Sequence, residues 1–151
     1  MKKLLAGITS LALCLSLTAC GGDGKKAFDP SADAETLLNS GAFSESLTEI
    51  DQDTACLLYG IDASTVTACA VYGSTGATAE ELAIFTLKDS DAAGTALSAL
   101  QLRVEDRTEA LASYLPNEIT KLQSAVTEAR GSSVLLVIAA DYGPVDTFLE
   151  G

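Results

Sequence analysis

An α+β fold is what this sequence predicts: a mainly antiparallel sheet of about five strands, with one long helix and shorter helices packed on it. Three observations predict it. Apolar runs of strand length occur in pairs separated by turn residues, as at 126–130 and 132–140 around Gly131. The clearest helical stretch lies between those groups, with apolar residues every three or four positions from Ala93 to Leu111. The order is helix, three strands, long helix, short helix, two strands, short helix, and strands grouped in hairpins favour an antiparallel sheet.

The elements follow in chain order. Asp29-Pro30-Ser31 precedes a short helix over 32–39, with Gly41 near its C-terminal end. Ala34, Leu37 and Leu38 share one face. Phe43, Leu47 and Ile50 continue at i, i+4, i+7, the spacing of a further helical turn. Two β-like runs come next, 54–59 and 65–72, with Gly60-Ile61-Asp62-Ala63-Ser64 as the turn between them. Both faces of these runs are apolar, so the sheet is covered on both sides or meets a protein partner on one. Gly73-Ser74-Thr75-Gly76 reads as a loop.

Residues 77–87 carry two signals. Glu80-Glu81-Leu82 has helical propensity, whereas Leu82-Ala83-Ile84-Phe85-Thr86-Leu87 reads as a strand, and a strand completes the sheet. Asp89 or Ser90 caps the long helix, and Asp91 suits its positive N-terminal end. Ala93, Leu97, Leu100, Val104 and Leu111 form its apolar stripe; Arg103, Glu105, Asp106, Arg107 and Glu109 form its wet face. The helix runs towards Tyr114, and Pro116 breaks it. A shorter helix over 117–125 turns Ile119 and Leu122 inward. Val134-Leu135-Leu136-Val137-Ile138-Ala139-Ala140 is a continuous apolar run, expected as the central strand and buried on both faces. Gly143-Pro144 opens a last helical turn with Val145, Phe148 and Leu149.

The N-terminus describes an export signal. Lys2 and Lys3 precede an apolar stretch from Leu4 to Leu17, and small residues lead to a cysteine. A membrane-spanning helix needs roughly 20 apolar residues, and this stretch is shorter and carries Thr9, Ser10 and Ser16. Leu17-Thr18-Ala19-Cys20 resembles the lipobox of bacterial lipoproteins. The resemblance implies cleavage before Cys20 and a diacylglyceryl group on its sulfur, holding the protein on the extracytoplasmic face of the cell membrane. Residues 1–19 are then signal peptide, 20–30 the lipidated cysteine and a glycine-bearing tether, and 31–151 a single domain. Lys25 and Lys26 either touch anionic headgroups or stay solvated.

Loss of 1–19 leaves 132 residues (151 minus 19), enough for one domain with a core. It also removes Lys2 and Lys3, taking the formal charge from −12 to −14. Such an acidic domain is not a nucleic-acid binder, because phosphate neutralisation needs clustered Lys and Arg. The chain has no histidine, so the usual general base, zinc ligand and pH switch are all missing. No cofactor or metal is expected.

Few constellations carry chemistry. If the runs 54–59 and 65–72 pair with Ile61 to Ser64 as the loop, Cys56 lies opposite Cys69, within reach of a disulfide worth roughly 3 kcal/mol; a loop with an odd number of residues breaks that register. The alternative is two buried thiols. Asp51-Gln52-Asp53 and Asp89-Ser90-Asp91 are loop solubilisers and helix caps or calcium ligands, although neither continues into an EF-hand pattern. Glu80 and Glu81 are candidates for acid–base work, but neighbours on a strand point to opposite faces, so solvation is the expectation. Tyr59, Tyr72, Tyr114 and Tyr142 either form a contact surface or pack at the core edge.

Leu58-Tyr59-Gly60-Ile61, the segment from Gly76-Ala77-Thr78-Ala79-Glu80-Glu81 to Phe85, Arg103 and Tyr114-Leu115-Pro116 resemble a group of small bacterial lipoproteins. These are grouped as domain-of-unknown-function family 4358, mostly from Gram-positive anaerobes. The resemblance runs from about residue 30 to the C-terminus and implies a lipobox and an α+β domain. It implies no activity, cofactor or catalytic residue, and the Cys56/Cys69 pair departs from the family's usual residues. The function expected is therefore a non-enzymatic, membrane-anchored module binding an envelope protein or peptide. An envelope enzyme using Glu80 and Glu81 is the alternative, and a small solute-binding lipoprotein is a third reading that the short chain argues against.

Overall fold

A computed structural model describes residues 24–151; Cys20, the signal segment and the first part of the tether lie outside the described residues. The strands are β1 (Thr48–Ile50), β2 (Val66–Gly73), β3 (Glu81–Leu87), β4 (Val126–Arg130) and β5 (Ser133–Ile138). The helices are α1 (Pro30–Leu38), α2 (Gln52–Tyr59), α3 (Ser90–Leu111), α4 (Ile119–Gln123) and α5 (Gly143–Glu150). The strands form one antiparallel sheet in the order β1-β2-β3-β5-β4. This is the expected α+β class, with α3 as the one long helix packed on the sheet.

Alternation along the strands makes two cores. Ala83, Phe85 and Leu87 of β3, with Val134, Leu136 and Ile138 of β5, face Ala93, Ala96 and Leu100 of α3. Ala55 and Tyr59 of α2 and Leu122 of α4 join that side. Leu82 and Ile84, with Leu135 and Val137, face Ala34 and Leu37 of α1, Val145 of α5, and Phe28. Each large apolar side chain so buried contributes about 1.5–3 kcal/mol. The apolar run expected at the centre is β5, one place off the middle; β3 is central, and β5 beside it is buried on both faces.

The largest correction falls on 54–59, which is helix α2 and not a strand. The Asp51 carboxylate accepts the Thr54 N–H at 3.0 Å and starts the helix. Gly60 ends it in the left-handed region at φ 66°, and the Ile61 N–H closes onto the Cys56 carbonyl at 2.9 Å. Two local stop and start signals outweigh an apolar run with no clear period. The helical turn expected from Phe43 to Ile50 is also absent: residues 48–50 form edge strand β1, which supplies the fifth strand.

With 54–59 helical, the hairpin that set Cys56 opposite Cys69 does not exist. Cys69 pairs with Phe85 on β3, Cys56 sits on α2, and both thiols are free. At the other end of the domain, Phe28 is buried and its N–H donates to Ser133 Oγ at 2.8 Å. Packing of the domain thus begins within residues expected as tether.

Candidate functional site

The residues with most chemistry are Glu80, just before β3, and Glu81, its first residue. Their side chains point to opposite faces, as alternation requires. Neither is solvated, which overturns that expectation: Glu80 is 0% and Glu81 3% exposed. The reason is that cations and donors converge on each from distant parts of the chain.

Glu80 accepts the Ser44 N–H at 2.8 Å and the Ser44 hydroxyl, and Lys121 Nζ donates to it at 2.8 Å. Lys121 also lies 2.9 Å from Glu118. Burial alone would raise the Glu80 pKa; the Lys121 ammonium and the Ser44 donors outweigh it and hold the carboxyl below its ordinary value. In return, these two carboxylates outweigh burial at Lys121 and raise its pKa.

Glu81 accepts the Tyr59 hydroxyl at 2.6 Å and two Arg103 donors at 3.2 and 3.0 Å. Arg107 Nε is 3.9 Å away, beyond hydrogen-bond length, and is buried without a partner. The Arg103 guanidinium lies 5.4 Å from the Tyr59 ring centre, and Tyr59 meets Phe85 edge-on at 5.5 Å. Burial first, and the Glu81 charge second, raise the Tyr59 pKa well above its ordinary value. Arg103 therefore leaves the wet face assigned to it and turns to Glu81.

The loop before β3 is tied by carboxylates as well. Glu45 accepts Ser74 Oγ at 2.7 Å and Thr78 Oγ1 at 2.5 Å, and these hydroxyls lower its pKa. The Ala79 N–H donates to Glu118 at 2.8 Å. The whole arrangement holds two fixed anions on opposite sides of one strand. One substrate cannot meet both carboxylates, and each already has its partners.

The other candidates resolve locally. Asp51 and Asp89 are helix caps, with Asp89 accepting the Ala92 N–H at 2.7 Å. Among the described residues, no group of three His, Cys, Asp or Glu is placed to hold a metal. Burial raises both the Cys56 and Cys69 pKa values; Asp53 and Asp62 add to it at Cys56, and Cys56 itself, then Asp51 and Glu49, add to it at Cys69. Tyr59 packs in the core, Tyr142 donates to the Lys121 carbonyl at 2.8 Å, and Tyr114 is exposed. Lys25 bonds the Leu149 carbonyl at 3.0 Å.

Two grooves on the described surface lie away from these networks. One, of about 680 Å³, runs between α1 and the outer part of β2, with Asp29, Glu35 and Glu49 on its rim. The other, of about 380 Å³, lies by the start of α3 between Ile61, Lys88 and Asp89. Sequence reasoning missed Ser44, Lys121 and the Tyr59 hydroxyl as partners of the carboxylates. One signal was available: two acids heading an apolar strand demand cations, and the chain has only 9 Lys and Arg for 21 Asp and Glu.

Tyr59 and Arg103 on one face, and Ser44 and Lys121 on the other, thus converge from separate stretches of sequence on two adjacent carboxylates at the head of one strand. Neither the curated proteins nor the solved structures contain a match to the chain. A family model does match residues 39–139, the span that holds all five strands and α2 to α4. The chain belongs to the family described as a domain of unknown function, DUF4358.

Proposed function

We propose that this protein is a lipoprotein held on the extracytoplasmic face of the membrane by a diacylglyceryl group on Cys20, and that it works as a binding module for an envelope protein or peptide. One observation carries the binding part of the reading. The carboxylates best placed for acid–base work, Glu80 and Glu81, are locked in buried ion pairs on opposite faces, while the groove beside β2 stays open. A catalytic acid needs access to substrate and a pKa near the working pH; Glu80 is sealed and its pKa is lowered. The anchor rests on Lys2, Lys3, the apolar stretch and Leu17-Thr18-Ala19-Cys20. No helix among the described residues is long and apolar enough to cross a membrane.

Growth with an alkyne fatty acid tests the anchor. The wild-type chain is expected to take up label and pellet with membranes, and Cys20→Ala to lose both; equal labelling of the variant would end the lipoprotein reading. Photo-crosslinkers placed singly over the exposed surface test the binding part in whole cells. A discrete adduct that maps to one face is expected, and no adduct from any position would count against a binding role.

A further inference from the structure

One edge of the sheet is only partly covered. β1 pairs with Val71, Tyr72 and Gly73 and then stops, because Asp51 turns the chain into α2. That helix packs on the α3-side face of the sheet through Ala55 and Tyr59, with Gln52 Oε1 3.9 Å from Cys69 Sγ, and adds no strand to the edge. Along residues 67–70 the side of β2 away from β3 has no strand against it, and among the described residues no backbone hydrogen bond outside the sheet ladder reaches it. Thr67 and Ala68 are exposed. Protected edges carry lysine, proline or a covering element. This one carries Thr67, Ala68, Cys69 and Ala70.

The groove of about 680 Å³ opens beside that edge. Ala68 and Ala70 line it with short side chains, and Asp29, Glu35 and Glu49 line it with carboxylates; no Lys or Arg does. Glu35 and Glu49 are exposed and in no salt bridge among the described residues. We propose that this edge is a strand-addition site for an extended peptide segment bearing lysine or arginine at alternate positions. The peptide main chain pairs with residues 67–70, as in β-augmentation generally. Its alternate cationic side chains lie over Ala68 and Ala70 and reach Glu35 and Glu49. A second copy of this chain is not the occupant, because a protein of charge −12 would set one acidic rim against another. The proposal rests on the reading of the domain as a binding module and names its partner.

The test uses the full chain in non-ionic detergent and fluorescent peptides of about nine residues, long enough to span the open edge. A peptide alternating lysine and threonine is expected to bind, and one alternating glutamate and threonine is not. Methylating alternate backbone nitrogens of the lysine peptide removes ladder hydrogen bonds and should weaken binding about tenfold or more. The double variant Glu35→Lys/Glu49→Lys should weaken it by a similar factor, about tenfold, with an unchanged circular dichroism spectrum. Failure of the lysine peptide to bind would overturn the proposal. So would binding indifferent to both N-methylation and the two substitutions. A cellular crosslink that maps away from β2 would overturn this site while leaving the binding-module reading intact.

Discussion

Glu80 is a charge with no exposed surface, and its effect on stability has a definite sign. Its folded pKa is lowered, by the Lys121 ammonium and the Ser44 donors against the opposing effect of burial. Its contribution is therefore full above the unfolded carboxyl value, about 4.3, and is lost as pH falls through the lower folded value. Glu80→Gln should flatten the acid limb of a plot of unfolding free energy against pH. Glu80→Ala, which leaves Lys121 with Glu118 alone and the Ser44 donors without their acceptor, should lose about 1–3 kcal/mol by urea denaturation at neutral pH. On the other face, burial first and Glu81 second raise the Tyr59 pKa. The contribution of Tyr59 is full below about pH 10, its unfolded value, and is lost as pH rises towards the higher folded one. Tyr59→Phe should remove that alkaline loss and, by breaking a hydrogen bond to a charged acceptor, cost about 1.5–3 kcal/mol at neutral pH. The opposite facing of Glu80 and Glu81 was legible, because strand alternation is a local rule. Their burial was not, because Lys121 is 41 residues from Glu80 and Arg103 is 22 from Glu81, and strand pattern carries no information at that range.

At the scale of elements, legibility tracked length and punctuation. α3 was readable from its apolar stripe, and β2 to β5 from apolar or β-like runs of five residues or more bounded by turn residues. β1 has only three residues, too few for alternation to be seen. The run that became α2 is apolar without a clear period, and its identity lies at its ends, in Asp51 and Gly60. Adding a Cβ at Gly60 meets nothing within 4 Å, so the whole effect of Gly60→Ala is the strain of φ 66°. A loss of about 1 kcal/mol is expected. Asp51→Ala removes the cap and should lose about another 1 kcal/mol. The two effects are expected to add in urea denaturation, because the substitutions act at opposite ends of the helix. An unchanged midpoint in both variants would mean that packing of Ala55 and Tyr59, and not the caps, decides this segment.

For the whole molecule, the family match stops where one face of the sheet is closed. Residues 39–139 hold the sheet and the α3 side, whereas α1 and α5 lie outside that span and both cover the other face. The two ends of the chain close this face together. Phe28 stacks on Phe148 at 6.3 Å, Arg130 lies 4.4 Å from the Phe28 ring centre, and Lys25 holds the Leu149 carbonyl. Phe28→Ala is expected to lose about 3–5 kcal/mol, as for other buried aromatics. Phe148→Ala should lose part of the same energy, so the double variant falls short of the sum in a double-mutant cycle. The position of this clasp matters for the proposed anchor. Phe28 lies eight positions after Cys20 (28 minus 20), a reach of at most about 28 Å when fully extended. Destabilising the clasp frees Phe28 from Ser133 and lengthens the tether by the residues that leave the domain. In vesicles carrying a headgroup acceptor, a fluorophore on exposed Tyr114 should therefore show lower energy transfer in Phe28→Ala than in wild type. Equal transfer, with the stability loss confirmed, would show that membrane distance is set by something other than the packed end of the tether.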